Sequence, residues 1–229
     1  MKFILLTVLI ITNFMVLCYS APIAPLMNSS DWKVLESPKM NPTSPPNIAN
    51  NQIQINSSSS HDAYICSLPI NISQTPILSF SWKISDVISS ANITIKHLDD
   101  APIRILILFK EDNDRKSWIR RQIDTFFLWV YGELPYDYSM AYVWSNQKQD
   151  NDLIEGAYTH KLRSVVLDSG NDRAGQWVTH EINLYDNFIR AYGGPPPPKE
   201  AFLGILSDTD TTHSEITAWV KNITFKAID

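Results

Sequence analysis

Apolar and polar residues alternate along much of this chain. Residues 52–56 set Ile53 and Ile55 between polar neighbours, and residues 77–84 carry Leu78, Phe80, Trp82 and Ile84 at every second position, the period of a strand with one buried face. Residues 102–109, Pro-Ile-Arg-Ile-Leu-Ile-Leu-Phe, form the most hydrophobic and β-prone piece and predict a central strand buried on both faces. Further strands are predicted at 63–72, 140–145, 162–167, 177–183, 202–206 and 215–225, with a short first strand at 32–35. Two segments break the alternation. Residues 117–131 place Ile119, Ile123, Phe126, Phe127 and Val130 at helical spacing ahead of Gly132, and residues 183–192 read as a short helix capped by Asp186 and ended by Gly193, Gly194 and four prolines. Many short strands separated by turns predict a mostly β protein, a jelly-roll-like β-sandwich with one or two short helices, and not alternating βα units.

The first twenty residues have a different character. Lys2 is followed by the apolar run 3–17 and then by Cys18-Tyr19-Ser20, the pattern of a secretory signal peptide cleaved after Ser20. The run is short of the ~20 apolar residues that a membrane span needs, so the expectation is a secreted or periplasmic chain with no transmembrane span after cleavage. Residues 21–50 read as a Pro-rich leader and 51–229 as a single sandwich domain. Cleavage leaves Cys66 as the one cysteine. No intramolecular disulfide is then available in a compartment that would allow one, and stability has to come from the core.

Charge and composition narrow the chemistry. The formal charge is −5, and removing Lys2 with the signal leaves 18 basic against 24 acidic side chains, or −6; a nucleic-acid binder needs the opposite balance to displace counterions from phosphate. All seven glycines lie at or after Gly132 and are mostly scattered, so no glycine-rich phosphate loop can be drawn. His180-Glu181 lacks the second histidine of a zinc-protease helix, and no Gly-x-Ser-x-Gly occurs. The strand 202–206 running into Asp208-Thr-Asp210-Thr-Thr212 imitates the opening of haloacid-dehalogenase phosphotransferases. Only 17 residues follow Thr212, too few for the parallel sheet and downstream metal ligands that such an enzyme requires.

What remains are polar and aromatic candidates. Asp208 and Asp210 fall on a loop between strands, where their carboxylates could hold Ca²⁺ or brace the loop as Asx-turns. Asp99 and Asp100 precede the buried strand and could pair with Arg104 or cap a turn. Spacing alone does not say which face they share with Asp208. A pair such as Glu181 with Asp208 would suit glycoside hydrolysis if brought to the required separation. Trp129, Tyr131, Tyr136, Tyr138, Tyr142 and Trp144 crowd into sixteen residues. Exposed rings are platforms for sugar faces, whereas buried ones are core; Trp82, Phe109 and Trp177 read as core.

Asp99-Asp100-Ala101 with Arg104 and Phe109, Ala141-Tyr142-Val143-Trp144, Ser169-Gly170, Trp177, Glu181, Asp186, Ala191-Tyr192-Gly193 with Pro195, and Gly204 with Asp208-Thr209-Asp210 together resemble the bacterial family called domain of unknown function 3047, over about residues 32–225. Thr211 stands where that pattern favours Asn, and Asn183 where it favours Asp. The resemblance implies an exported bacterial β-sandwich and brings no activity with it. In a bacterium the five Asn-x-Ser/Thr sequons reflect composition and not glycosylation.

Three functions stay open on sequence. The first is a noncatalytic envelope module, with a galactose-binding-like fold, for a saccharide or another hydroxylated ligand. Its candidate ligand residues are Asp99, Asp100, Arg104, Tyr136, Tyr138, Trp144, Asp208 and Asp210, with Ca²⁺ at Asp208 and Asp210. The second is a structural or protein-interaction domain that meets an envelope protein. The third is an exported glycoside hydrolase or lyase.

Overall fold

The computed structural model describes residues 29–34, 46–111, 136–149, 152–156, 160–194 and 196–228. The expected signal segment and the helix expected over 117–131, with Trp129 and Tyr131, lie outside the described residues. In chain order the strands are Trp32–Val34 (β1), Asn47–Ala49 (β2), Gln52–Ser58 (β3), His61–Cys66 (β4), Ile70–Asn71 (β5), Ile77–Ile84 (β6), Ala101–Lys110 (β7), Tyr138–Ser145 (β8), Leu153–Glu155 (β9), Leu162–Ser169 (β10), Val178–Asn183 (β11), Glu200–Asp208 (β12) and Glu215–Lys226 (β13). One α-helix, Leu184–Tyr192 (α1), follows β11 directly.

These strands make two sheets. The larger runs β1-β4-β12-β7-β8-β10-β9, with β5 also paired to β12, and the five-stranded one runs β11-β6-β13-β3-β2. Pairing is antiparallel except between β8 and β10. The protein is thus a mostly β, jelly-roll-like sandwich with one described helix.

Side-chain alternation fixes the core between the sheets. Leu78, Phe80, Trp82 and Ile84 of β6 and Ala218, Val220 and Phe225 of β13 meet Ile103, Ile105, Ile107 and Phe109 of β7, with Met140, Tyr142 and Trp144 of β8 and Leu203 and Ile205 of β12. Burying each large apolar side chain is worth about 1.5–3 kcal/mol relative to exposure, which lets the sandwich form without a cross-link. Cys66 is a buried free thiol, and burial pushes its titration upward, so it packs as a small hydrophobe.

Several local features differ from expectation. The stretch 63–72 is two strands, β4 and β5, interrupted at 67–69, where Pro69 has no N–H for a ladder. β1 is the short first strand expected at 32–35, while the rest of the segment read as leader also supplies β2 to the smaller sheet. The α1 cap is Asn183, whose carboxamide oxygen accepts from the backbone N–H groups of Tyr185 and Asp186. Asp186 instead accepts from Asn183 Nδ2 at 2.7 Å, which holds the capping carboxamide in place. Gly193, at φ 60°, closes the helix in the left-handed conformation that glycine adopts without strain.

One ion crosses the core. A register shift between Val166 and Asp168 in β10 sets Asp168 opposite the inward-facing Trp144, the re-aiming that a bulge provides. Its buried carboxylate accepts from Trp82 Nε1 at 2.7 Å, meets His180 Nε2 at 2.7 Å and is paired with Arg173. The rings of Phe80 and Trp144 pack against Trp82, and those of Phe80 and Trp82 against His180. Burial pushes the Asp168 carboxyl up, but the hydrogen bonds from His180 and Trp82, with the charges of His180 and Arg173, outweigh it and hold the group below its ordinary range. A carboxyl depressed in the folded state adds stability above its unfolded pKa and withdraws it as pH falls through the folded one. Asp168→Ala is therefore expected to lower stability near neutral pH by about 3–5 kcal/mol. In urea melts at several pH values, its loss relative to wild type should shrink as the acid carboxylate range is crossed.

Candidate functional site

Antiparallel pairing brings the start of β4, the end of β12 and the start of β7 to one end of the larger sheet. In register, His61 stands opposite Asp208, and Asp208 opposite Ala101, so Asp99 and Asp100 arrive at the same place. Inner positions of β4 and β7 are Tyr64, Cys66, Ile103 and Ile105. By alternation His61, Arg104 and Asp208 point from the sheet face turned away from the five-stranded sheet.

Five of the eight candidate ligand residues converge here, and each has a distinct part. Arg104, buried, donates from Nη2 to the Asp99 carboxylate at 2.6 Å and to the Asp99 carbonyl at 3.0 Å. Its Nη1 lies 3.7 Å from Asp208 Oδ2. Asp100, 1% exposed, accepts from the Thr211 hydroxyl at 2.6 Å and from the Thr212 backbone N–H and hydroxyl at 2.8 and 2.6 Å. The loop after β12 is thus braced by Asp100, a residue brought in by another strand. Beneath it, Ser57 donates to Asp62 at 2.6 Å and lies 3.1 Å from the Thr209 hydroxyl, which also donates to the Ser60 carbonyl. His61 Nδ1 is 3.1 Å from Asp208 Oδ2.

The cluster carries more negative than positive charge. Burial pushes the Asp99 carboxyl above its ordinary range against the pull of Arg104. Asp210 is raised as well, by burial and then by Asp208 and Asp100. Arg104 Nε and Asp208 Oδ1 are both buried without a hydrogen-bond partner. His61, Asp208 and Asp210 each offer a donor atom within 4.8 Å of the others, a set able to hold a cation.

The aromatic candidates lie elsewhere. Trp144 is fully buried and donates from Nε1 to the Gly170 carbonyl, and Tyr142 is core, its hydroxyl accepting from Asn187. Tyr138 packs edge-on against Phe188 and Tyr192 beside α1, and Tyr136 stands 6.1 Å from the Phe202 ring. Glu181 does not approach Asp208. It is exposed on the outer face of the five-stranded sheet, paired with Lys226, while Asp208 belongs to the opposite face of the sandwich. That separation removes the suggested carboxylate pair. Asp208 also ends a strand that is antiparallel to both neighbours, unlike the parallel strand of a phosphotransferase.

A second surface was not legible as a site in the sequence. On the outer face of the five-stranded sheet, Lys83 stands in register between Trp219 of β13 and the Trp177 end of β11, and Gln54 lies beyond Trp219. The next row is Thr179, Ser81, Lys221 and Gln52, with the Ser81 and Thr179 hydroxyls 2.8 Å apart. Lys83 Nζ lies 4.2 Å from the Trp219 ring centroid and 5.1 Å from that of Trp177, and Lys221 Nζ lies 4.0 Å from Trp177. Trp177 is therefore half-buried on the surface and not core. The signal lay in the parity: Trp219, Lys83 and Lys221 occupy the polar positions of two amphipathic strands, where a tryptophan is out of pattern.

These features define a class: a two-sheet sandwich with a buried acid cluster on one outer face and an aromatic and lysine surface on the other. The chain belongs to the family described as Protein of unknown function (DUF3047), whose profile matches residues 30–224. No curated protein matches the chain in sequence. Among solved structures it is similar to the catalytic domain of Humicola grisea Cel12A in complex with a thio cellotetraose, at 12% identity and TM-score 0.42, covering 80% of this chain and 82% of that one. It is similar also to the xyloglucanase domain of NopAA from Sinorhizobium fredii in complex with cellobiose, at 10% identity and TM-score 0.43, covering 86% and 93%. A family 12 xyloglucanase from Bacillus licheniformis gives 7% identity and TM-score 0.43, covering 92% and 97%. No helix among the described residues is long and apolar enough to cross a membrane.

Asp100 tests the construction of the acid cluster. Asp100→Ala leaves the Thr211 and Thr212 donors without their acceptor and is expected to cost about 1–3 kcal/mol. Hydrogen exchange should show faster exchange of the Thr212 amide while the β6 amides remain protected.

Proposed function

We propose that the protein is an exported, noncatalytic binding module for a saccharide, engaged on the outer face of the five-stranded sheet. One observation carries this reading: Trp177 and Trp219 stand on that face, half-buried, among hydroxyl, amide and ammonium side chains. Indole rings cover the C–H faces of a pyranose, and Thr179, Gln52 and Gln54 supply donors and acceptors for its hydroxyls, with the buried Ser81 hydroxyl backing Thr179. An exposed cation–π contact is worth only about 0.5–1 kcal/mol, so Lys83 and Lys221 can exchange their rings for a ligand oxygen at small cost. Two ammonium groups with no carboxylate between them on these rows favour a saccharide bearing acidic groups. The rows are set by strand pairing, so the surface is rigid and little ordering entropy is lost on binding.

A glycan array followed by calorimetry on the best acidic oligosaccharide tests this. Trp219→Ala and Trp177→Ala are each expected to weaken binding by about tenfold or more with only small changes in melting temperature. Lys83→Ala should reduce both the affinity and its sensitivity to salt. Absence of binding to every glycan, or binding indifferent to both tryptophan substitutions, would falsify the proposal.

A further inference from the structure

The acid cluster on the opposite outer face is independent of that reading and has an imbalance of its own. The carboxylates of Asp99, Asp208 and Asp210 face the Arg104 guanidinium or the His61 imidazole, and that of Asp100 stands close to them on the 211–212 turn. Even with His61 counted as a cation, two negative charges are left over. Asp100 has three donors from the 211–212 turn, and Asp99 has Arg104. Asp208 is served on one side only. Its Oδ2 meets His61 at 3.1 Å and Arg104 at 3.7 Å, whereas Oδ1 has no hydrogen-bond partner although the side chain is only 10% exposed. A charged oxygen withdrawn from water without a donor is costly, and a cation is the partner that would satisfy it.

We propose that His61, Asp208 and Asp210 bind one divalent transition-metal ion of the Zn²⁺ or Mn²⁺ kind. Their donor atoms lie within 4.8 Å of one another, a spread that small rotations of His61 and Asp210 reduce to the reach of one ion with bonds of about 2.0–2.2 Å. The imidazole sets the class of metal. Ca²⁺ takes about six to eight oxygen ligands, whereas a set of one nitrogen and two carboxylates suits borderline first-row ions. The sequence, reading Asp208 and Asp210 alone, left Ca²⁺ binding and an Asx-turn both open; the β4–β12 register adds His61, whose nitrogen favours a transition metal over Ca²⁺. Arg104 remains with Asp99; a ligating His61 is neutral, which leaves three negative charges over, and a divalent ion offsets two of them. Three protein ligands leave the remaining positions to water or to a small ligand.

Calorimetric titration of the chelator-treated protein with ZnCl₂, MnCl₂ and CaCl₂ decides the matter. The expected result is one Zn²⁺ or Mn²⁺ per chain, bound at least tenfold tighter than Ca²⁺, with His61→Ala and Asp210→Asn each weakening it tenfold or more. Asp210 lies on the turn after β12, so Asp210→Asn decides alone if His61→Ala does not fold. No saturable binding, Ca²⁺ bound as tightly as Zn²⁺ and Mn²⁺, or unchanged affinity in Asp210→Asn overturns the proposal.

Discussion

Strand alternation governs both faces of this protein at once. In β6, sending Leu78, Phe80, Trp82 and Ile84 into the core obliges Ser79, Ser81 and Lys83 to face outward. In β13 the same rule sends Ala218 and Val220 inward and Thr217, Trp219 and Lys221 outward. The pairing of Trp219 with Lys83 and of Lys221 with Ser81 then builds a surface row by row. A one-residue slip in either strand would bury lysine and expose the core, so the hydrophobic stripe that holds the sheets together also fixes the composition of the outer face.

Buried charge is handled in two opposite ways. Asp168 is enclosed by Trp82, His180 and Arg173, and these donors outweigh the cost of burial. It joins the two sheets through side chains on β6, β10 and β11. On the outer face of the larger sheet, Asp99 and Asp210 are pushed up by burial and by neighbouring carboxylates, and Asp208 keeps an oxygen without a donor. The first arrangement is complete within the protein, as a structural ion must be. The second holds surplus negative charge in place with a well-bonded support, Asp100 on the 211–212 turn and the Ser57, Asp62 and Thr209 network beneath it. The proposed metal ion would offset most of that excess.

Much of the architecture was legible because period two is a strong signal where one face is buried. The stripe of residues 77–84, the doubly buried 102–109 run and the glycine stop at Gly193 all appear as read. Short pieces were harder. β2 and β9 have three residues each, too few to show a period, and the break at 67–69 rests on one proline. Asp186 was read as the cap because an acid opening a helix is a common signal, but the backbone turns at Asn183, the last paired residue of β11. The acid cluster was half legible: Asp99, Asp100, Arg104, Asp208 and Asp210 were all picked out, but their meeting with His61 depends on cross-strand register, which local pattern does not contain. The tryptophan surface was missed because residue type pointed Trp177 to the core; its parity with Thr179 and Glu181, and that of Trp219 with Thr217 and Lys221, pointed outward.

The claim that most needs a direct reading is that the outer face of the five-stranded sheet takes a saccharide. Indole N–H resonances in a ¹⁵N correlation spectrum, followed while an acidic oligosaccharide is titrated, read it residue by residue. The account predicts saturable shifts of the Trp177 and Trp219 signals, with those of Trp82 and Trp144, held in the core by Asp168 and the Gly170 carbonyl, unmoved. Shifts confined to other residues, or a spectrum unchanged at saturating saccharide, would contradict it.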